Sequence, residues 1–225
     1  MTVLGVVVPV HDEQELLGDC LDAISRAARW VRGRAAVRTL VVLDSCRDAS
    51  REIARDRGVD QFAVAARNVG VARDAGVRTL IDGPGAVPDW IATTDADSQV
   101  PPDWLLAQLA AYDHGVDARV GAVYVDDWDG HGSSTRDWFR DVYDAADDPH
   151  PHVHGANLGV RREAYERCGG FAGLAVGEDV ALVAALDAGG FTVHRSRRSP
   201  VLTSGRRIAR AHGGFAARLG ELEAG

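Results

Sequence analysis

Short apolar runs that alternate with amphipathic stretches constrain this chain more tightly than any other feature. Val3-Leu4-Gly5-Val6-Val7-Val8-Pro9 is continuously apolar, the pattern of a strand covered on both faces. Over 15–32, Leu16, Leu17, Cys20, Leu21, Ile24, Ala28 and Val31 then hold one face at helical spacing. Thr39–Leu43 reads as the second strand, and Ser50 caps a short helix that runs to Arg57 before Gly58. A brief strand over 61–65 and a helix over 70–81 lead to the turn-rich Asp82-Gly83-Pro84-Gly85, and a further strand starts at Trp90. Strands alternating with helices predict an α/β fold: a mostly parallel, Rossmann-like sheet with right-handed crossovers and helices on both faces. A chain of 225 residues is enough for one such domain and a sizeable core.

The second half predicts helices over 104–112, 162–168 and 179–188, strands over 119–125, 155–160 and 191–194, and a terminal helix over 208–222. The stretch 126–154 differs in kind, being acidic, rich in Trp, His and Gly, and poor in aliphatic periodicity. It reads as a mobile loop with one short helix near 138–146, serving as a lid or acceptor surface. A solvated acidic insertion without a role is the alternative.

Polar clusters at His11–Glu13, Asp44–Asp48 and Asp95–Asp97 each follow a strand, which puts all of them on one rim of the sheet. Residues i and i+2 of a strand point to the same side, so Asp95 and Asp97 leave the Trp90 strand together. They enter the crevice where open α/β sheets bind ligands. Paired hard oxygens there suit Mg²⁺ or Mn²⁺ carrying a diphosphate. Asp127-Trp128-Asp129 repeats the spacing without the strand context.

Charge and composition exclude several other functions. The formal charge of −8 argues against a general nucleic-acid or anionic-membrane binder. No lysine occurs, which removes Schiff-base and P-loop lysine chemistry. Cys20, Cys46 and Cys168 lack metal-type spacing and read as reduced thiols, and no apolar run approaches a membrane span. Thr2–Val10 is too short for a signal peptide and has no basic flank. A cytoplasmic protein, peripheral at a membrane if its acceptor is a lipid, is the expectation.

Taken in order, several pieces resemble family 2 glycosyltransferases with the GT-A fold: Val7-Val8-Pro9-Val10-His11-Asp12-Glu13-Gln14-Glu15, Asp44-Ser45-Cys46-Arg47-Asp48, Arg67-Asn68-Val69-Gly70-Val71-Ala72-Arg73, Asp95-Ala96-Asp97, Gly155-Ala156-Asn157-Leu158-Gly159-Val160-Arg161-Arg162, Gly169-Gly170-Phe171 and Gly177-Glu178-Asp179. The likeness runs from about Val3 to Ala188. It implies hexosyl transfer from a nucleoside diphosphate sugar to a small-molecule or lipid acceptor, with a divalent metal cofactor and, by default, inversion. It implies a nucleotide-binding half over 1–100 and an acceptor-side half over 101–225. Pro9, His11, Glu13, Asp44, Arg67, Asn68, Gly70 and Arg73 would hold the nucleotide, with Asp44 on the base. Asp95 would lie near the ribose and the metal, Ala96 would border the donor, and Asp97 would be the direct metal ligand. Gly155, Ala156 and Asn157 would border the sugar and acceptor. Asp179 would be the general base, supported by Glu178.

Each piece also has a plain structural reading. Asp44-Ser45 can end a strand, Arg67-Asn68 can cap a helix, and Glu178-Asp179 can favour the positive end of a helix dipole. Trp104 and Trp138 read as core or lid packing, whereas Trp128 is a candidate sugar platform. His150, His152 and His154 read as a polar loop rather than a metal cluster, given Pro149 and Pro151 among them.

The chain departs from the family's pattern at a histidine expected near Thr203-Ser204, which would be a further metal ligand. Either Asp97, diphosphate and water hold the metal, or His194 or His212 reaches in. Arg206 and Arg207 follow at once, and their guanidinium forks suit a leaving diphosphate. Two rival functions are a nucleotidyltransferase on a related sheet and a non-catalytic nucleotide-sugar-binding protein.

Overall fold

The computed structural model describes residues 1–128, 132–144 and 148–206. The terminal helix expected over 208–222, together with Arg207 and His212, lies outside the described residues. The first half follows the predicted alternation: β1 (Thr2–Val10), α1 (Leu17–Trp30), β2 (Ala35–Asp44), α2 (Ser50–Asp56), β3 (Asp60–Val64), α3 (Val69–Asp82) and β4 (Trp90–Thr93). A two-residue β5 (Ser98–Gln99) then precedes α4 (Trp104–Asp113) and β6 (Ala118–Tyr124). The chain continues through α5 (Ser133–Trp138), a π-helical turn over Phe139–Asp144, β7 (Leu158–Arg161), α6 (Arg162–Cys168), α7 (Glu178–Ala188) and β8 (Val193–Thr203).

These strands form one sheet in the order β3-β2-β1-β4-β7-β6-β8-β5. The pairs β3–β2, β2–β1, β1–β4 and β6–β8 are parallel, and β7 runs antiparallel to both β4 and β6. Alternation along β1 builds a core on each face. Leu4, Val6 and Val8 pack with Leu17, Cys20, Leu21, Ile24, Trp104 and Leu105 of α1 and α4. Val7 turns the other way and joins Ala72, Val77, Leu80, Ala164, Leu182 and Leu186 of α3, α6 and α7. The helix α3 lies so close to the sheet that a Cβ on Gly76 would come within 2.5 Å of Val7 and 2.8 Å of Val42. Trp90 is wholly buried and donates its indole N–H to Gln108 at 2.9 Å.

Three elements differ from the sequence expectation. Residues 155–157 form a 3-10 turn, and β7 begins only at Leu158. The final strand spans Val193–Thr203 rather than ending at His194. Within 126–154, helical backbone starts at Ser133, and Phe139, Tyr143 and His150 are buried.

Candidate active site

The candidates Pro9, His11, Glu13, Asp44, Asp95, Ala96 and Asp97 lie at or just beyond the C-terminal ends of β1, β2 and β4. The loops after β1, β2 and β3 each contain a non-glycine residue at positive φ: Asp12 (52°), Ser45 (57°) and Arg67 (48°). Such backbone costs about 1–3 kcal/mol per residue and persists where the surroundings over-determine it. Asp44 is a large part of those surroundings. Its Oδ1 accepts from Ala66 N and Arg67 N, both at 2.8 Å, and its Oδ2 accepts from Asn68 N at 2.8 Å. Burial pushes this carboxyl up, but the Arg67, Asn68 and Ala66 amides outweigh it and hold the group below its ordinary range. His11 Nδ1 lies 2.6 Å from the Asp44 carbonyl oxygen, joining the first two loops.

Asn68 caps α3, accepting from Val71 N at 3.0 Å, and its Nδ2 donates to Gly173 O at 3.1 Å. Gly70 N donates to Leu174 O at 3.1 Å. Both contacts bring α3 against the loop that leads into α7. Arg73, one turn further on, is 2% exposed. Its guanidinium bonds to the Asp95 carboxylate, donates to Glu178 Oε1 at 3.0 Å and reaches Gly155 O at 3.3 Å. Burial opposes its charge, yet Asp95, Glu178 and Asp179 together keep it protonated. Burial raises the Glu178 carboxyl, and Arg73 only partly offsets that.

Asp179 sits in the first turn of α7, after Gly177 in the left-handed region at φ 78°. Its Oδ2 accepts from Gly155 N at 2.7 Å, while Thr93 Oγ1 donates to Gly155 O at 2.7 Å. Gly155 therefore couples the end of β4 to the acidic turn of α7. The Asp97 Oδ2 atom takes Arg206 at 2.7 Å, and the same guanidinium makes a fork to Glu13 at 2.9 and 2.7 Å. Ser98 Oγ donates to Asp97 Oδ1 at 3.2 Å and lies 3.1 Å from the Thr203 hydroxyl, which can donate to it, tying the aspartate to β8. Burial first, then Asp95 and Glu13, push the Asp97 carboxyl up to about 6 against the pull of Arg206. Beneath the turn, Cys20 Sγ–H donates to Asp95 O at 3.3 Å. Burial and the Asp97, Asp95 and Glu13 carboxylates push that thiol far up, so it stays protonated.

Two sequence candidates fall elsewhere. Asn157 is fully buried: its Oδ1 accepts from Trp104 Nε1 and Arg119 NH1, and its Nδ2 donates to Ala122 O and Ser199 O. With its amide engaged inside the fold, it supports the Gly155 turn and has no free polar face for a sugar. Trp128 packs edge-on against Phe139 at 5.2 Å and donates to Val125 O, so its ring is engaged in packing. His194 lies at the far end of β8 from Thr203, so it does not reach Asp97. Asp12, Cys46 and Asp48 cluster outside the Asp95–Asp97 turn, but Asp12 accepts from Arg47 N and Asp48 from Gln14 N and Ser50 N. Sequence reasoning missed the hydroxyls of Thr93, which holds Gly155, and of Ser98 and Thr203, which link Asp97 to β8.

A family model for glycosyl transferase family 2 matches residues 5–169. The chain belongs to this family. The match to family 2 ends before Glu178, Asp179 and Arg206. Among solved structures the fold is similar to the mannosyltransferase PcManGT from Pyrobaculum calidifontis in complex with GDP-Man and Mn²⁺, with 20% identity, TM-score 0.70, and coverage of 92% of this chain and 58% of that one. It is also similar to S. aureus TarS 1-349 in complex with UDP-GlcNAc, at 13% identity and TM-score 0.64, covering 96% of this chain and 62% of that one. A third is glucosyl-3-phosphoglycerate synthase from Mycobacterium tuberculosis with Mn²⁺, UDP and phosphoglyceric acid, at 15% identity and TM-score 0.64, covering 96% and 75%. This family 2 chain thus spans 58% and 62% of the length of the first two. A comparison with curated proteins finds no match. No helix among the described residues is long and apolar enough to cross a membrane.

Proposed function

We propose that this chain transfers a hexosyl group from a nucleoside diphosphate sugar to an acceptor hydroxyl, with inversion at the anomeric carbon. The observation that carries this reading is the bonded chain Asp95–Arg73–Glu178 beside Gly155–Asp179, which gathers a donor-side and an acceptor-side carboxylate on one rim. Asp179 takes the proton of the acceptor hydroxyl as its oxygen bonds to the anomeric carbon. The bond from that carbon to the diphosphate oxygen breaks, and the nucleoside diphosphate leaves with both electrons. Glu178 fixes Arg73, which holds Asp95 in place. Pro9, His11, Asp44, Arg67, Asn68, Gly70 and Ala96 shape the nucleotide side, and Gly155 and Ala156 the sugar side.

The donor set fits a hard divalent ion. Asp97, Asp95 and Glu13 offer only oxygen, and the Asp97–Glu13 pair already holds one cation, the Arg206 guanidinium. Asp97, with Asp95, would hold Mn²⁺ or Mg²⁺, and a bound ion supplies neutralisation of charge on the departing diphosphate. Arg206 can then pass from its carboxylates to that diphosphate.

Calorimetry of UDP, GDP and dTDP, each with and without Mn²⁺, tests the reading on the native chain and Asp97→Ala. Metal-dependent binding of one nucleotide, lost in the variant, is expected. Binding of none, or binding indifferent to metal and to the substitution, would sink it.

A further inference from the structure

Residues 148–154 run as a strap along the outer edge of β8. The outer neighbour of that strand, the short β5, pairs only with Leu202 and Thr203, so earlier backbone groups on the edge need other partners. The strap supplies them through side chains: Asp148 Oδ1 accepts from Arg197 N at 3.0 Å, and His150 Nε2 lies 3.3 Å from Ser196 O. Arg195 NH1 in turn donates to Pro151 O at 3.5 Å. The strap then leads into His154, whose Nε2 is 2.7 Å from the Tyr143 hydroxyl, and into Gly155, the residue held by Asp179 and Thr93.

His150 is wholly buried. Facing a carbonyl, its Nε2 carries the ring proton, which leaves Nδ1 as a bare acceptor. That atom is buried with no hydrogen-bond partner among the described residues. A second proton would place an unanswered N–H and a full charge in the interior. The groups around the ring do not welcome that charge. His152 stacks on it at 6.1 Å, Arg197 faces it from β8, and Asp148 is shared with the buried Arg119 of β6. Burial pushes the imidazole below its ordinary value and Arg197 acts the same way, while the Ser196 and His152 backbone and Asp148 only partly offset them.

We propose that neutral His150 is the pin of this strap and a positioning residue for the site: uncharged, it fixes Gly155 against Asp179, and a second proton on its ring releases both. The consequence for catalysis rests on the glycosyl-transfer reading above; the pin itself does not. The open strap binds the proton more tightly than the closed one. Closure is therefore favoured in full above about pH 6.5, the ordinary histidine value, and weakens as pH falls below it.

Amide exchange on the full chain from about pH 8 to about pH 5, corrected for intrinsic rates, tests this. Protection at Arg197 N and Gly155 N should fall by up to about tenfold per pH unit below about 6.5, with the β1 amides unchanged. His150→Gln, whose amide can donate to Ser196 O and takes no proton, should stay protected throughout, whereas His150→Ala should be unprotected at every pH. The same acid loss in His150→Gln would assign the effect to another group such as Asp97 and overturn the pin, as would a loss shared by β1. Titration of the native imidazoles by NMR stands apart from the folding of any variant: a His150 ring that titrates at or above the ordinary value overturns the proposal. Calorimetry with UDP, GDP and dTDP separates the two readings. Nucleotide binding with a Gly155 amide indifferent to pH overturns the pin alone. A strap released by acid in a chain that binds no nucleotide supports the pin and overturns the transfer reading.

Discussion

At Asp44 a single carboxylate accepts from three consecutive backbone amides, and a left-handed residue, Arg67, lies among them. Its pKa lies below the ordinary value, so ionised Asp44 stabilises the fold above about pH 4, and that contribution is lost as pH falls through the folded-state value. Asp44→Asn is expected to lower stability by about 2 kcal/mol at neutral pH, since an amide nitrogen would face one of those N–H donors. Thermal melts from neutral pH to about pH 2 should show the gap between the two proteins closing on the acid side. A constant gap would mean that the carboxylate charge plays no part. The sequence already placed Asp44 at a strand end on the functional rim, but it did not reveal that the turn over 66–68 hangs from it. Contacts made across more than twenty residues through side-chain oxygen leave no periodic trace.

Between elements, the close approach of α3 to the α6–α7 loop fixes how donor and acceptor sides meet. A Cβ at Gly70 would stand 2.2 Å from Ala172 O and 2.7 Å from Leu174 O, both backbone atoms that move only with the loop. Gly70→Ala is therefore expected to cost about 1–3 kcal/mol and to break the bond from Gly70 N to Leu174 O. Chemical denaturation together with amide exchange at residue 70 checks both parts; unchanged exchange protection would refute the clash. The buried elements were the legible ones, because β1 is almost wholly apolar, β2 and β4 hold the apolar runs 40–43 and 90–92, and α1 is strongly one-sided. The strand β8 was not, since His194, Arg195, Arg197 and Arg198 interrupt it, and the Arg195 and Arg197 side chains bond to Asp187 and to the Pro151 and Tyr143 carbonyls. A two-residue strand such as β5 is too short to carry a pattern. Asn157 misled for a related reason: hydropathy counts it as polar, while four hydrogen bonds make it a core residue.

Across the whole molecule, Arg206 closes the chain on itself by joining the stretch after β8 to Glu13, beyond β1, and to Asp97, beyond β4. Arg206→Ala leaves those buried carboxylates facing each other without a cation. A loss of about 2 kcal/mol is expected in chelator, and most of it should return with Mn²⁺, which supplies the missing charge. Equal Tm losses with and without the ion would show that Arg206 and the metal do not share a seat. The sequence exposed this rim as three polar clusters and singled out Arg206 for a diphosphate, but not its pairing with Glu13 and Asp97, because that pairing spans nearly the full chain. The thiol of Cys20, bonded from below to the Asp95 carbonyl and kept protonated, lends the same assembly a different property. It can react only while the floor of the site is open, so its chemical lifetime measures how often that floor breathes. Anything that tightens the rim from above is registered underneath as a slower-ageing sulfur.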